Sequence, residues 1–313
     1  MSVTPPPRRG DPSPSRAPAK ATRSELQAAH SRSSSRPRSD RRGRTLLALL
    51  IVVVLLIPLA VGALWLYHKV RPGPSASDTP SVTLAPDVTL LLPPGLTIAE
   101  IAARVGEIPG KDAAKFLAAV TSGTIRSRYQ PADVTSLDGF LFPDTYFIGA
   151  TESEESIVRR LVDRFDEIGD KINLGSATKM TPYQTVIAAS LIQKEAKLAE
   201  DAPLISAVIR NRLADEMLLQ IDATLCLIKG GCPPSPTNAD KEIDSPYNTY
   251  KNIGLPPTPI CSVTEASLLA AMNPSDVKYK FYVLSDANGK HAFATTLAEH
   301  DRNVAAARAK GLL

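Results

Sequence analysis

Residues 180–213, MTPYQTVIAASLIQKEAKLAEDAPLISAVIRNRL, contain the pattern that decides the fold. Thr181 precedes a proline and is followed three positions later by Gln184, which is the arrangement of a helix start closed by a capping box. Apolar residues then recur at helical spacing as far as Leu191. Glu195 lies one turn beyond Leu191 on the same face, so the sequence predicts a helix that carries a carboxyl group out of water.

A carboxyl group on an apolar face is a candidate general acid. Burial disfavours its charged form, which raises the pKa and lets the group hold a proton near neutral pH. The alternative is structural: Glu195 at the edge of the apolar face would pair with Lys194, Lys197 or Arg212. Spacing alone does not decide between the two roles.

Motifs on both sides of Glu195 carry a family resemblance. The segment SLIQKEA is followed by a second helix ending in N-R-L at residues 211–213. Three further motifs occur in the same order as in the family: LDGFLFPDTY at 137–146, DSPYNTY at 244–250 and GLPPTPI at 254–260. From about residue 88 onward the chain thereby resembles the YceG-like endolytic murein lytic transglycosylases.

The match is incomplete at four positions. Asp138 stands where the family has Glu, and Thr258 stands where it has Gly. LLQIDATL at residues 218–225 resembles the family's L-Q-[ST]-D-P-T segment but departs from it at Ile221 and Ala223. The last part of the chain matches the family's N-P, Y-F-V, G-x-H-x-F and E-H pattern at Asn273, Pro274, Tyr282, Gly289, His291, Phe293, Glu299 and His300.

The resemblance implies a reaction. It implies cleavage of the β-1,4 bond between MurNAc and GlcNAc in nascent peptidoglycan strands, which leaves 1,6-anhydro-MurNAc ends and helps to terminate strand elongation. Glu195 would protonate the glycosidic oxygen and then accept the proton of the attacking C6 hydroxyl. Because this internal hydroxyl replaces water, one carboxyl suffices where ordinary glycosidases need two.

Polar and aromatic side chains of the matched motifs are the expected substrate contacts. They offer hydroxyls, amides and flat rings that suit a sugar, although turn residues that merely close a loop are the alternative for 247–250. Core packing is the alternative for the aromatic residues of 137–146 and is expected for Phe140. The candidates are Gln220, Asp222, Thr224, Tyr247, Asn248, Thr249, Tyr250, His291, Phe293, Phe142 and Tyr146.

The N-terminal part predicts a membrane anchor. Residues 1–44 are rich in Pro, Ser and Arg with a net charge of +8, and we expect a disordered tail. Residues 45–67 are uncharged and long enough to span a bilayer as one helix; a cleaved signal peptide is the less favoured alternative. The basic residues before this segment place the N-terminus in the cytoplasm and the rest of the chain outside the plasma (inner) membrane.

The remaining chain predicts an α+β fold in two parts. Residues 68–86 indicate a linker, and 87–130 indicate a strand and two helices that resemble a small LysM-like subdomain, with or without glycan contact. Residues 131–313 then form the mixed α/β YceG-like catalytic domain. In this domain the expected β-hairpin lies at 281–284 and 291–295, and Asp201 is expected to cap the helix that follows Glu195.

Charge, histidines and cysteines limit the partners. The whole chain has a net charge of +4, so residues 45–313 carry −4, which argues against nucleic acid. Because His291 and His300 are the only histidines in residues 87–313, we expect no metal, and no motif indicates a cofactor. Of the three possible pairings among Cys226, Cys232 and Cys261, we favour Cys226 with Cys232 because they flank a short loop.

Two rival functions remain at this point. The first is an inverting hydrolase that acts on the same glycan with Asp222 as the base, which would leave reducing ends. The second is a non-catalytic, membrane-anchored scaffold that binds glycan or wall-synthesis proteins, in which the four departures from the family motifs would mark decay. The resemblance itself implies peptidoglycan strands as substrate and association with peptidoglycan synthases.

Overall fold

A computed structural model describes residues 87–177, 179–232 and 236–313, together with five helical positions between 61 and 69. The chain divides into two units, 1–81 and 82–313. The predicted tail, the linker and the membrane helix lie outside the described residues apart from those five positions. Among the residues that are described, no helix is both long and apolar enough to cross a membrane.

The second unit is a mixed domain in which helices predominate, in agreement with the predicted α+β class. Its elements in chain order are β1 (Val88–Leu91), α1 (Ile98–Gly106), α2 (Ala113–Thr121), β2 (Thr145–Ile148), α3 (Glu154–Lys171), a 3-10 turn (Leu174–Ser176), α4 (Pro182–Glu195), α5 (Ala202–Ala214), α6 (Asp222–Lys229), α7 (Asn238–Lys241), α8 (Glu265–Met272), β3 (Phe281–Leu284), β4 (His291–Ala294) and α9 (Leu297–Ala309).

The first strand and two helices close on a strand farther along the chain. β1 pairs antiparallel with β2, with Val88 opposite Ile148, and α1 and α2 pack together between the two strands in the sequence. Thr97 and Glu100 form the capping box expected at the start of α1. The partner strand of β1 begins at Thr145, in the segment that the sequence analysis assigns to the catalytic domain.

Helix α4 is the centre of the domain. Thr181 and Gln184 form the predicted capping box at its start. Every residue from 185 to 192 is buried, because α8, α5 and α6 pack around the helix. The helix therefore has no solvent face along most of its length, and the single apolar face expected from the sequence understates its burial.

An aromatic cluster beside α4 explains the motif at 137–146. Phe140 packs edge-to-face on Phe165 of α3 at 4.8 Å and stacks parallel to Tyr183 of α4 at 6.1 Å. Phe142 and Tyr146 are buried in the same core, and the Tyr146 hydroxyl donates a hydrogen bond to the carbonyl of Phe142. Phe140 is a core residue as predicted, and its two aromatic neighbours in the motif are core residues as well.

The C-terminal hairpin is fixed to the start of α5. β3 and β4 pair antiparallel with Leu284 opposite His291, and α9 covers them. Asp201 was expected to cap α5, but its side chain makes no capping bond. Its carboxylate instead accepts hydrogen bonds from the backbone N–H and from Nδ1 of His291, at 2.8 and 2.9 Å. The expected cap is therefore a bridge between helix and hairpin.

Gly139 offers a test of this packing. Its φ is +81°, and a Cβ there would lie 2.6 Å from Pro259 and 2.9 Å from Val186. We expect Gly139→Ala to lower the free energy of unfolding by about 2–4 kcal/mol, since left-handed strain and overpacking add. Urea denaturation of the full chain followed by circular dichroism measures it.

Gly175→Ala is the matched control, because a Cβ at Gly175 meets no atom within 4 Å. Its free energy of unfolding should stay within about 0.5 kcal/mol of the wild-type value. Equal stabilities for the two variants would contradict the close packing of Gly139 on Pro259.

Candidate active site

A polar cleft of about 370 Å³ opens at the C-terminal end of α4. It collects side chains from α4, α5, α6, α7, β3 and α9, and from the loops around them, so that segments distant in sequence meet here. The lining residues are Glu195, Arg212, Leu219, Gln220, Asp222, Lys241, Tyr250, Tyr282 and His300.

Glu195 is the last residue of α4 and lies half-buried in this cleft. Its Oε2 accepts a hydrogen bond from the Tyr282 hydroxyl at 2.9 Å, and no other side chain bonds to it among the described residues. Burial raises the pKa of Glu195 to about 7, the negative charge of Asp222 adds to the rise, and the Tyr282 hydrogen bond lowers it. The negative end of a helix dipole gives a carboxylate no support either. Glu195 can therefore both give and take a proton near neutral pH.

Tyr282 is itself held in place by the ring of His291. Its ring packs edge-to-face on the ring of His291, with 5.3 Å between centroids and an interplanar angle of 88°. His291 is fixed in turn by the buried carboxylate of Asp201. The bridge between α5 and the hairpin thus sets the position of the only side chain that is bonded to Glu195 among the described residues.

Asp222 brings a second carboxylate to the cleft. It is the first residue of α6 and is exposed, and the Tyr250 hydroxyl donates a hydrogen bond to its Oδ1. Burial and the neighbouring Asp222 raise the pKa of Tyr250, which stays a neutral donor. The cleft therefore combines one carboxyl that exchanges protons with one carboxylate that is hydrogen-bonded by a phenol.

Gln220 enters the cleft from a strained backbone. Its φ is +52°, an uncommon conformation for a residue with a side chain, and such conformations concentrate at functional sites. Its N–H donates to the carbonyl of Thr249 at 3.0 Å, and the Thr249 hydroxyl accepts the next N–H, from Ile221, at 2.9 Å. The loop at 247–250 thereby holds the strained segment in place.

Some of the polar residues that were expected to bind sugar instead support this part of the cleft. Asn248 is buried and donates from Nδ2 to the carbonyls of Lys241 and Ile243. The buried hydroxyls of Thr224 and Thr249 lie 3.0 Å apart and bond to the backbone of Ile221. These three residues build the wall of the cleft from behind and do not line it.

Other expected contacts also lie away from the cleft. The Tyr247 hydroxyl is paired with the hydroxyl of Thr258 at 2.9 Å. His291 and Phe293 pack behind Tyr282, and Phe142 and Tyr146 belong to the aromatic core. Of the substrate contacts expected from the sequence, the structure brings three to the cleft: Gln220, Asp222 and Tyr250.

Apart from Leu219, four lining residues had been given no role in binding. Tyr282 and His300 belong to motifs that the sequence analysis recognised, but a two-residue period does not say which face of a hairpin meets a helix end. Arg212 was considered only as an ion-pair partner of Glu195. Lys241 had no sequence signal, because α7 is a four-residue helix whose position depends on the Asn248 side chain.

The cysteines lie outside this cleft. Cys226 and Cys232 are joined by a disulfide, and Cys261 is a buried free thiol whose pKa burial raises to about 12. Within the described residues, no group of three or more His, Cys, Asp or Glu side chains is placed to hold a metal ion.

Fold and cleft together define an α+β domain that presents one proton-exchanging carboxyl in a polar cleft. A family model described as the YceG-like family matches residues 68–306, and the chain belongs to this family. The crystal structure of a yceG-like protein from Listeria monocytogenes is similar, with a TM-score of 0.62 and 32% identity, over 70% of this chain and 76% of that chain.

Two curated relatives are named endolytic murein transglycosylase. The protein of Streptococcus pneumoniae serotype 2 (strain D39 / NCTC 7466) is 31% identical over 242 residues, which cover 69% of this chain and 44% of the relative. The protein of Bacillus subtilis (strain 168) is 36% identical over 168 residues, which cover 53% of this chain and 46% of the relative. The matches thus span less than half the length of either relative.

The raised pKa of Glu195 has a measurable cost in the stability of the folded protein. Between its ordinary value of 4.5 and about 7, the unfolded chain releases this proton while the folded chain keeps it, so the group lowers stability as the pH rises through that window. Glu195→Gln removes the cost. We expect the variant to unfold with a free energy up to about 3 kcal/mol higher than wild type at pH 8, with little difference at pH 4.

Denaturant titrations at pH 4, 6 and 8 measure the two curves, and Glu107→Gln on the exposed end of α1 reports the effect of deleting a surface carboxylate. A Glu195→Gln curve that runs parallel to the wild-type curve over this range would show that Glu195 is not held in its protonated form by burial.

Tyr282→Phe tests the hydrogen bond to Glu195. The bond favours the carboxylate, so its loss should raise the pKa of Glu195 further, by about one pH unit. Carbon-13 NMR titration of the glutamate carboxyls, with Glu195→Gln to assign the signal, gives the value. Tyr279→Phe is the matched control, because the Tyr279 ring stacks on Phe293 and its hydroxyl is not bonded to Glu195. An unchanged titration in Tyr282→Phe would exclude the bond.

Proposed function

We propose that the protein is a lytic transglycosylase that cleaves the β-1,4 bond between MurNAc and GlcNAc inside nascent peptidoglycan strands. The products would be a strand with a 1,6-anhydro-MurNAc end and a strand with a new GlcNAc terminus. The observation that carries the proposal is the half-buried carboxyl of Glu195, whose pKa of about 7 suits a group that acts first as acid and then as base. The names of the two curated relatives support the same class of reaction.

The orientation of Glu195 supports different tasks for its two oxygens. The Tyr282 hydroxyl donates to Oε2, so the acidic proton belongs on Oε1. Oε1 protonates the glycosidic oxygen as the bond from C1 of MurNAc breaks. The same oxygen then accepts the proton of the C6 hydroxyl while O6 forms the new bond to C1, which returns Glu195 to its starting state. Tyr282 holds the group in place throughout and exchanges no proton.

Asp222 and Gln220 would act on the sugar at the cleavage point. The positive charge that develops at C1 favours a nearby carboxylate, and the hydrogen bond from Tyr250 fixes the carboxylate of Asp222. The exposed amide of Gln220 can bond to sugar hydroxyls or to an N-acetyl group. Both residues would lower the barrier without taking part in the proton exchange.

A second candidate function uses Asp222 as a catalytic base. In an inverting hydrolase, one carboxyl protonates the leaving oxygen and the other activates a water molecule on the opposite face of the sugar. Asp222 lines the cleft together with Glu195, which supplies the second group that this mechanism needs. The product would then carry a reducing end, and water would take the place of the C6 hydroxyl.

The cellular setting is proposed from the sequence. The apolar segment 45–67 after a basic tail supports a single-pass protein of the plasma (inner) membrane with an extracytoplasmic catalytic domain. New glycan strands at that membrane surface would then be within reach, and peptidoglycan synthases would be neighbours. The unit built from β1, α1, α2 and β2 would serve as the LysM-like subdomain.

Product analysis tests the function. Purified glycan strands are incubated with the full chain and with the Glu195→Gln and Asp222→Asn variants, and the strand ends are identified by mass spectrometry. We expect anhydro-MurNAc ends from wild type, at least 10³-fold fewer from Glu195→Gln, and a reduced number of the same ends from Asp222→Asn.

Three other outcomes would change the proposal. Reducing ends from wild type that disappear in Asp222→Asn would establish the hydrolase. Undiminished cleavage by Glu195→Gln would remove Glu195 from the mechanism. Intact strands in every sample, with strand binding retained, would support a glycan-binding scaffold.

A further inference from the structure

The cleft contains cationic groups that the proposed reaction does not use. Arg212 is only 8% exposed, and its guanidinium is held mainly by backbone oxygens: Nε donates to the carbonyl of Lys280, and Nη1 donates to the carbonyls of Leu218 and Leu219. Nη1 also donates to Oε1 of Gln220, at 3.4 Å. No carboxylate of the described residues forms an ion pair with it. A buried cation that lacks an opposite charge is costly, so its retention in a cleft indicates an anionic ligand.

One nitrogen of Arg212 is left for that ligand. Nη2 makes no hydrogen bond to the described residues, yet it is not enclosed: the buried polar side-chain atoms without a partner among those residues are Arg160 Nε and His300 Nδ1. Nη2 is therefore an accessible donor on a guanidinium whose other nitrogens are fixed. The orientation is set before any ligand arrives, which reduces the entropy lost on binding.

His300 adds a second donor beside it. Its ring stacks on Phe281 at 5.2 Å, and the Arg212 guanidinium lies 5.3 Å from the centre of the same Phe281 ring. Burial, with the charge of Arg212, lowers the pKa of His300, so the ring is neutral. Because Nδ1 is buried without a partner, the single proton is better placed on Nε2, which is accessible.

Lys241 completes the group at the rim. It lines the same cleft, its Nζ lies 5.0 Å from the centre of the Tyr250 ring, and it forms no ion pair with the described residues. Arg212, His300 and Lys241 thus offer two positive charges and one neutral donor in a space that also contains the carboxyl groups of Glu195 and Asp222. An acceptor with two oxygens and a negative charge fits these groups.

We propose that Arg212, Lys241 and His300 form a subsite for a carboxylate carried on the lactyl group of muramic acid. This inference rests on the proposed function, because muramic acid is the sugar whose C1 is attacked. The carboxylate has two sources: the lactyl carboxyl itself, where the stem peptide is absent, or an acidic residue of an attached peptide. The subsite would select the muramic acid ring for the position next to Glu195, because GlcNAc has no acidic substituent.

Binding measurements separate this subsite from catalysis. The full chain carrying Glu195→Gln is titrated with fluorescent glycan tetrasaccharides in four forms: peptide-free with the lactyl carboxyl free, the same with that carboxyl converted to its methylamide, peptide-bearing, and peptide-bearing with all peptide carboxyls methylamidated. We expect at least one acid form to bind about tenfold more tightly than its amide, and the pair that differs identifies the source of the carboxylate.

Variants then attribute the preference to these residues. Lys241→Gln, combined with Glu195→Gln, should reduce the preference for the acid form several-fold, and Arg212→Gln should abolish it. Lys278→Gln is the control, since Lys278 is exposed and lies outside the cleft. Because Arg212 also supports the backbone, the Lys241 variant and the paired ligands keep the test independent of its folding.

Equal affinities within both pairs of ligands, or no binding of any form, would overturn the subsite. Either result is distinct from a failure of the proposed function, which is read from strand cleavage by the wild-type chain. A preference for the acid form that survives both Lys241→Gln and Arg212→Gln would place the carboxylate elsewhere.

Discussion

The hydrogen bond from Tyr282 to Glu195 is the contact on which the site depends. It joins the end of the central helix α4 to the C-terminal hairpin, two elements almost ninety residues apart, with 2.9 Å between the two oxygens. Burial alone would hold Glu195 in its protonated form, and a stronger partner such as an arginine would keep it ionised, with no proton to donate. A neutral phenol lies between these limits, because it stabilises the carboxylate without a full opposite charge. The pKa near 7 follows from that balance.

The surrounding structure maintains this balance by keeping the cations and the acid apart. Arg212 lines the same cleft, yet the groups that shift the pKa of Glu195 are its burial, Tyr282 and Asp222. Backbone carbonyls bind Nε and Nη1 of Arg212 and hold it in its own place. An ion pair between the two residues would keep Glu195 ionised and end its use as an acid. The cleft can therefore contain a permanent cation and a carboxyl that still exchanges its proton.

Local sequence patterns predicted the helices and strands but not how they pack together at the cleft. The capping box at Thr181 and the alternating residues of β3 and β4 specify their elements through near neighbours, and the structure has these elements where they were expected. Glu195 was singled out for the same reason, because a carboxyl one turn beyond Leu191 breaks an apolar pattern, but spacing alone did not decide its role. Tyr282 and Arg212 could not be assigned in this way, because their roles depend on how the hairpin and α5 pack against the end of α4. Asp201 illustrates the limit of local rules. The sequence predicts that it caps α5, but its carboxylate accepts hydrogen bonds from His291 of the hairpin instead.

The polar loop at 247–250 shows why composition misleads about binding sites. Asn248, Thr249 and Tyr250 have the groups that bind sugars, but a loop beside a cleft must also satisfy buried backbone groups. Asn248 and Thr249 do so for α7 and for the strained segment at Gln220, and only Tyr250 reaches the cleft. The strain at Gln220 can persist because this support surrounds it. Residues behind the cleft thus determine its shape, while a smaller set in front of them, contributed by distant parts of the chain, lines it.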